Sequence, residues 1–240
     1  MADIRISSCV TGMIDNNVYC VINKDVNECI IIDPSFSPEA IVNIIDESGA
    51  TPVAILLTHG HFDHIMSVDF LRDKYHIPVI AYADEKELLN DISLNHSDKF
   101  GRHRVTVEPN TYVNDGDILN YAEMNIKVIH TPGHTSGSCC FYIEDGSNPI
   151  LLSGDTLFRG THGRTDFETS SYEAMKESLN KLFELPANTL VLYRDNPYFV
   201  HMMVVSLIFT ALAYFQHRNN IVRLIHGNEN PLWGKKKNEQ

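Results

Sequence analysis

The chain has 240 residues, 43% of them hydrophobic, and a formal net charge of -12 from 31 acidic and 19 basic side chains. That length buries one moderate core, with or without an appendage, and the acidic balance repels polyanions, so nucleic acid is excluded as a partner unless a local basic patch intervenes. The one basic run, Lys235, Lys236 and Lys237, lies at the end of the sequence.

The opening MADIRISSCVTG has no basic segment leading into an apolar stretch and a small-residue cleavage site, which predicts a cytoplasmic protein. Five cysteines (Cys9, Cys20, Cys29, Cys139, Cys140) give no even disulfide framework and no zinc-ribbon spacing, so they read as reduced, mostly buried small hydrophobes. VYCVIN (18–23) and ECIIID (28–33) flank the turn-prone KDVN and predict a hairpin. SPEAIVNIIDESG (37–49) predicts a helix with Ser37 as its cap, Pro38 in the first turn and Gly49 as its stop. PVAILLT (52–58) reads as a buried strand and MSVDFLRDKY (66–75) as the helix that returns from it. IPVIAY, MNIKVIH, SCCFYI and PILLSG supply further strands, and SYEAMKESLNKLFEL (171–185) is an amphipathic helix. No internal repeat appears, and the interleaving of strands, helices and hairpins predicts a layered α/β domain with mixed sheets.

Between the strand at 52–58 and the helix at 66–75 lies LLTHGHFDHIMS, with three histidines and an aspartate within six positions. A loop at the end of a buried strand is held rigidly and is where function collects. His59 and His61, two apart in an extended turn, can converge on one ion, while Asp63 and His64 at the next helix start can face a second. Two later segments repeat the strand-then-turn context: HTPGHTSGSCCFYI (130–143) presents His134, and LLSGDTLFRG (151–160) presents Asp155.

THGHFDH, TPGHTSG and SGDTLF resemble the metallo-β-lactamase superfamily of hydrolases, with GRTDF (163–167), NNVY (16–19) and IIDPS (31–35) adding to the likeness. The resemblance covers residues 8–193 and is greatest to the compact glyoxalase II-like members related to hydroxyacylglutathione hydrolase. It implies a four-layer αββα sandwich of α/β (α+β) class, formed by residues 1–195, with a divergent apolar segment at 196–240. It further implies one metal on His59, His61 and His134, a second on Asp63 and His64, and Asp155 as the bridge, with Asp63 and Asp155 in the catalytic set. Such an open site suits one or two zinc ions, lowers the pKa of bound water to about 7, and accepts iron or manganese as well. The implied substrate is a small-molecule acyl thioester or small acyl ester, with Arg159 and Arg164 of FRGTHGRTDF, beside His162, available to a substrate carboxylate.

The family pattern closes with a P-G-H-G turn whose histidine completes the second site. Here NTLVLY (188–193) is followed by RDNPYF and no P-G-H-G occurs, so a seventh ligand is missing and the second ion is expected to be held more weakly. Substitutes are His201, His217 and His226, the last in LIHGNEN after an apolar run. Tyr198 to Phe215 carries no acidic or basic residue apart from one histidine. Its length borders on a membrane span, but Arg218, Arg223 and the terminal lysines would then leave the metal domain outside without a signal sequence. The reading preferred over a membrane segment is a buried helix or an element that forms a homodimer. Two functions compete on this sequence: a metal-dependent thioester hydrolase, and a catalytically impaired member of the same fold.

Overall fold

In a computed structural model of the chain, which describes residues 2–12, 14–100, 103–144, 148–193 and 199–225, the predicted hairpin strands are β2 (Asn16–Asn23) and β3 (Glu28–Ile32). They pair antiparallel from Tyr19 opposite Ile32 to Asn23 opposite Glu28. An unpredicted strand, β1 (Ile4–Thr11), pairs with the outer side of β2. Its apolar alternation is interrupted by Ser7 and Ser8 and it stays half-buried at the sheet edge, so periodicity alone gave no signal for it.

From β3 the chain crosses through helix α1 (Pro38–Ser48) to β4 (Thr51–Leu56), which pairs parallel with β3. Pro38 and Gly49 act as expected: Gly49 sits at φ 70° and its amide donates to the carbonyls of Ile45 and Asp46. Ser37 does not cap with its side chain. It is held in the left-handed region at φ 59°, and the helix start is closed by its carbonyl, which accepts from the amides of Ala40 and Ile41. Helices α2 (Phe62–Ile65) and α3 (Val68–Tyr75) lead to β5 (Val79–Tyr82), parallel to β4. A 3-10 turn at Ala83–Glu85 and helix α4 (Lys86–Asn90) precede β6 (Thr111–Val113). The first sheet therefore runs β1-β2-β3-β4-β5-β6.

The second sheet has the order β11-β10-β9-β8-β7, from β7 (Ile118–Tyr121), β8 (Met124–His130), β9 (Cys139–Ile143), β10 (Ile150–Leu152) and β11 (Leu190–Leu192). Helix α5 (Tyr172–Leu182) sits between the last two strands in sequence.

Strand side chains point alternately to opposite faces, and the buried clusters sort accordingly. Val21, Ile30, Leu56 and Ile80 of the first sheet meet Met124, Ile126, Phe141 and Leu152 of the second in the central core. The opposite face of the first sheet, with Ile31, Ile55 and Val79, packs against Ile41 and Ile45 of α1 and Leu71 of α3. The opposite face of the second sheet packs Cys140, Tyr142 and Leu151 against Leu182 of α5. The result is the four-layer αββα sandwich, in which each fully buried Ile or Leu contributes about 1.5–3 kcal/mol relative to exposure. Four of the five cysteines are buried in these clusters, and all five are free thiols.

The chain divides into two compact units, Met1–Asp195 and Asn196–Gln240. The second contains helix α6 (Phe199–Ile225). Its side chains from Val204 to Arg218 are all exposed, Leu207, Phe209 and Phe215 among them. Its apolar residues surround the axis instead of forming one stripe, and a single neighbouring surface cannot cover such a helix. Among the described residues, no helix is long and apolar enough to cross a membrane.

Candidate metal centre

The histidine-rich loop leaves the carboxyl end of β4, which lies between parallel neighbours, and open sheets of this kind place ligands outside their strand ends. His59 follows Thr58, and His61 stands at the N-cap of α2, whose first turns carry Asp63 and His64. From the other sheet, His134 lies in the loop between β8 and β9, and Asp155 follows β10. The backbone joins the two sides: the amide of Cys139, at the start of β9, donates to the carbonyl of Thr58 at 2.9 Å.

The donor atoms of His59, His61 and His134 lie within 4.8 Å of one another, and so do those of His59, His64 and Asp155. Nδ1 of His61 is 2.9 Å from Nε2 of His134. Asp155 faces both groups, with Oδ1 3.4 Å from Nε2 of His64 and Oδ2 3.4 Å from Nε2 of His134. Oδ2 of Asp63 is 3.5 Å from Nε2 of His64. Nε2 of His59 and Nε2 of His64 are buried without a hydrogen-bond partner among the described residues. Each such orphan costs on the order of 1–3 kcal/mol. Two imidazole nitrogens 2.9 Å apart can both reach one cation at the roughly 2.0–2.1 Å typical of zinc. The donor set therefore fits a metal.

Charge in the site is divided. Burial, then the neighbouring imidazoles of His64, His134 and His61, holds His59 well below the ordinary histidine range; burial and His134 do the same to His61 despite the opposing pull of Asp155. Burial also opposes a charge on His64, but Asp63, Asp33 and Asp155 outweigh it and raise that ring well above its ordinary value. The first group thus offers neutral nitrogen donors, and the second is a negative pocket that attracts a cation.

Two buried carboxylates set this geometry. Asp33 accepts from the Thr58 amide at 2.7 Å, from Oγ1 of Thr58 at 2.6 Å and from Nδ1 of His64 at 2.9 Å. A carboxylate only accepts, so Nδ1 of His64 carries a proton toward Asp33, and Nε2, turned toward Asp63 and Asp155, is the nitrogen at which a cation would take the place of a proton. Glu85 accepts from the Gly60 amide at 2.7 Å, from the Gly137 amide at 3.0 Å and from Oγ1 of Thr135 at 2.5 Å. It links the His59–His61 loop to the His134 loop. In the same way the Arg164 carbonyl accepts from Nδ1 of His134 at 2.8 Å and fixes that ring. Helix α5 clamps the His134 loop from outside: Oγ of Ser170, just before it, donates to the His134 carbonyl, and Oγ of Ser178 donates to that of Pro132, each at 2.7 Å. Gly133, at φ 143°, leaves no room for a Cβ, which would lie 2.5 Å from Cα of Met175.

A cavity of about 350 Å³ opens over the site. His61, Asp63, His134, Asp155 and Arg164 line it, but Arg159 is exposed and is not among the lining residues. The Arg164 guanidinium donates twice to Asp166, at 2.9 and 2.8 Å, and lies 4.6 Å over the Phe167 ring. One edge of that guanidinium, Nε and Nη2, is thus engaged in a solvent-exposed pair. His162 bonds through Nδ1 to the Gly163 carbonyl. His226 lies outside the described residues, as do residues 194–198, where the family turn is replaced; His201 is on α6 with its side chain outside the described set, and His217 is exposed.

Three contributors were not picked out as site residues from the sequence. Asp33 stood only as part of IIDPS. Glu85, in ADEKELLN, has the look of a solvated helix face. His96, held at φ 64°, stacks on His61 at 5.3 Å and has both ring nitrogens buried without a partner among the described residues. A lone histidine in LNHSDKF carries no sequence signal of this.

The metallo-beta-lactamase superfamily model matches residues 13–194. The chain belongs to this superfamily of metallo-hydrolases. It is 41% identical over 188 residues to the probable metallo-hydrolase YqgX of Bacillus subtilis, covering 78% of this chain and 87% of that one. It is 34% identical over 180 residues to a hydroxyacylglutathione hydrolase of Prochlorococcus marinus, covering 75% and 64%. Among solved structures it is similar to the BLEG-1 B3 metallo-beta-lactamase, with TM-score 0.74 and 36% identity over 80% of this chain and 92% of that one. It is also similar to TTHA1623 in a di-iron-bound form, with TM-score 0.69 and 29% identity over 80% and 92%.

Proposed function

We propose that the chain is a metal-dependent hydrolase of acyl thioesters, with His59, His61 and His134 holding one ion and His64, Asp63 and Asp155 holding a second more weakly. The observation that carries this reading is one carboxylate, Asp155, facing two clusters that contain imidazole nitrogens buried without a hydrogen-bond partner among the described residues. When bound, the metal supplies a Lewis acid and a water of lowered pKa. Asp155 is placed to accept a hydrogen bond from the attacking water and to orient it toward the carbonyl carbon. Asp33, through Nδ1 of His64, and the Arg164 carbonyl, through Nδ1 of His134, each hold a proton on Nδ1 and so make Nε2 the nitrogen available to a metal. Phe36, Phe62, Phe158 and Phe167 give the cavity apolar walls beside these donors. Imidazole and carboxylate donors accept zinc, iron or manganese.

The hydroxyacylglutathione hydrolase relative supports a thioester substrate. The likeness to BLEG-1 favours a second reading, hydrolysis of a β-lactam. Thiol release from a panel of thioesters, followed alongside opening of a chromogenic β-lactam and elemental analysis of the purified chain, separates them. We expect at least one ion per chain and thiol release. Lactam opening with intact thioesters would replace the first reading by the second, and a chain that takes up no metal and turns over neither substrate would be an impaired member of the fold.

Asp33 offers a narrower check. In Asp33→Asn, the Thr58 amide holds the side-chain oxygen at the Oδ1 position, so the NH2 group falls at the Oδ2 position facing Nδ1 of His64 and favours the tautomer with its proton on Nε2. Metal content should fall toward one ion per chain, with affinity for the second reduced about 10–100-fold. Unchanged stoichiometry and affinity would show that Asp33 does not set the His64 tautomer.

A further inference from the structure

We infer that the acyl group taken by this site is apolar, of the arylalkanoyl class, rather than a small hydroxyacyl group; the inference rests on the thioester reading above. The cavity is walled by Ile14, Phe36, Phe62, Phe100, Phe158 and Phe167. The wall begins at the metal cluster: the Phe167 ring centroid is 5.1 Å from that of His61 and 5.6 Å from that of His134. His96, 4.8 Å from Phe167, continues it as a flat surface with its nitrogens covered. Phe62 extends it outward, stacked on Phe100 at 6.3 Å and edge-on to Phe36 at 6.0 Å. A substrate whose carbonyl reaches the cluster therefore lays its neighbouring atoms on carbon.

Two features separate this wall from ordinary core. Phe100 is 60% exposed and Ile14 40% exposed, although both line the cavity, so large apolar groups stand in water at its mouth and a ligand would cover them. The polar complement is also mismatched to a charged or hydroxylated group. Among the described lining residues Arg164 is the sole arginine or lysine, and Asp166 already holds its guanidinium. The other charged lining residues, Asp63 and Asp155, are taken up as metal ligands in that reading and offer no further polar contact to the acyl group. At about 350 Å³ the cavity sits near the lower end of small-molecule sites and matches one ring on a short chain.

The test compares acyl groups on one thiol. With the metal-loaded chain, 3-phenylpropanoyl and lactoyl thioesters of N-acetylcysteamine are followed by thiol release. Binding of 3-phenylpropanoate and of lactate is measured separately by calorimetry. We expect kcat/KM to favour the phenylpropanoyl thioester by about tenfold or more, within the range that apolar pockets achieve, and phenylpropanoate to bind more tightly than lactate by a similar factor. Phe100→Ala, at the exposed mouth, should lower both ratios while metal content stays the same. Ratios near one, or a preference for lactoyl, would overturn the inference and leave a thioesterase of different specificity. If neither thioester releases thiol, the thioesterase reading fails, and the calorimetry still decides on the wall: tighter phenylpropanoate upholds an apolar acyl site, and equal affinity overturns it.

Discussion

His59→Ala or His134→Ala should empty the first metal group and abolish hydrolysis, whereas His64→Ala should leave measurable turnover. His59 is the strongest case because it is a ligand of the first ion and also stands within the second donor cluster, so its loss disturbs both. His134 approaches His61 to 2.9 Å and also faces Asp155 at 3.4 Å, so its loss opens the first group on two sides. For either variant the fall in kcat/KM should exceed the roughly 10–100-fold that losing a supporting partner costs. The sequence has no P-G-H-G turn to supply the family's further histidine, so on the proposed reading His64→Ala weakens the less firmly held of the two ions. Elemental analysis and thiol-release kinetics on the three variants check this, and equal losses in all three would count against the asymmetric pair.

Glu85→Ala should destabilise the fold and loosen the metal together. Its carboxylate is the acceptor for the Gly60 and Gly137 amides and for Thr135, and each buried donor left without an acceptor costs about 1–3 kcal/mol. A loss of roughly 3 kcal/mol or more is expected in urea denaturation, with reduced metal affinity because the two ligand loops are no longer joined. Burial, resisted by Thr135, Gly60 and Gly137, pushes the Glu85 carboxyl up to about 7, against about 4.3 in an unfolded chain. Between those values the folded state binds more protons than the unfolded one, so this group's contribution to stability falls as pH rises from about 4.3 to about 7 and is level above that. Glu85→Gln keeps one acceptor oxygen and does not titrate. It should lie between wild type and Glu85→Ala in stability, with a flatter dependence between pH 5 and pH 7. An equally steep dependence in Glu85→Gln would assign the slope to another group.

The legible part of the site is the part whose residues are close in sequence. Within H-x-H-x-D-H, one loop and one helix turn bring four donors together. His134 and Asp155, each in a common strand-then-turn context, became readable only through likeness to a family, because nothing local tells which distant loops will meet. Glu85 shows the limit: its burial depends on the close approach of Gly60 and Gly137, and a Cβ at Gly137 would stand 2.6 Å from the Glu85 amide nitrogen. The phenylalanine wall is likewise assembled from separate stretches of chain, none with a period of its own. In the fold, strands with strong apolar runs were predicted within a residue or two, while the half-polar β1 and the short β6 and β7 were not. Helix α6 was legible as a helix.

His59, His61 and His64 hang from one sheet, while His134 and Asp155 hang from the other, with the central core between them. The spacing of the donors is thus a vernier for how far one sheet slides over its neighbour. A shift of a few tenths of an ångström in that interior, from a methyl group added or lost near Phe141 or Leu56, would be transmitted to the rings without touching them. Evolution can therefore tune the grip on the ion from inside the sandwich, where no substrate ever reaches.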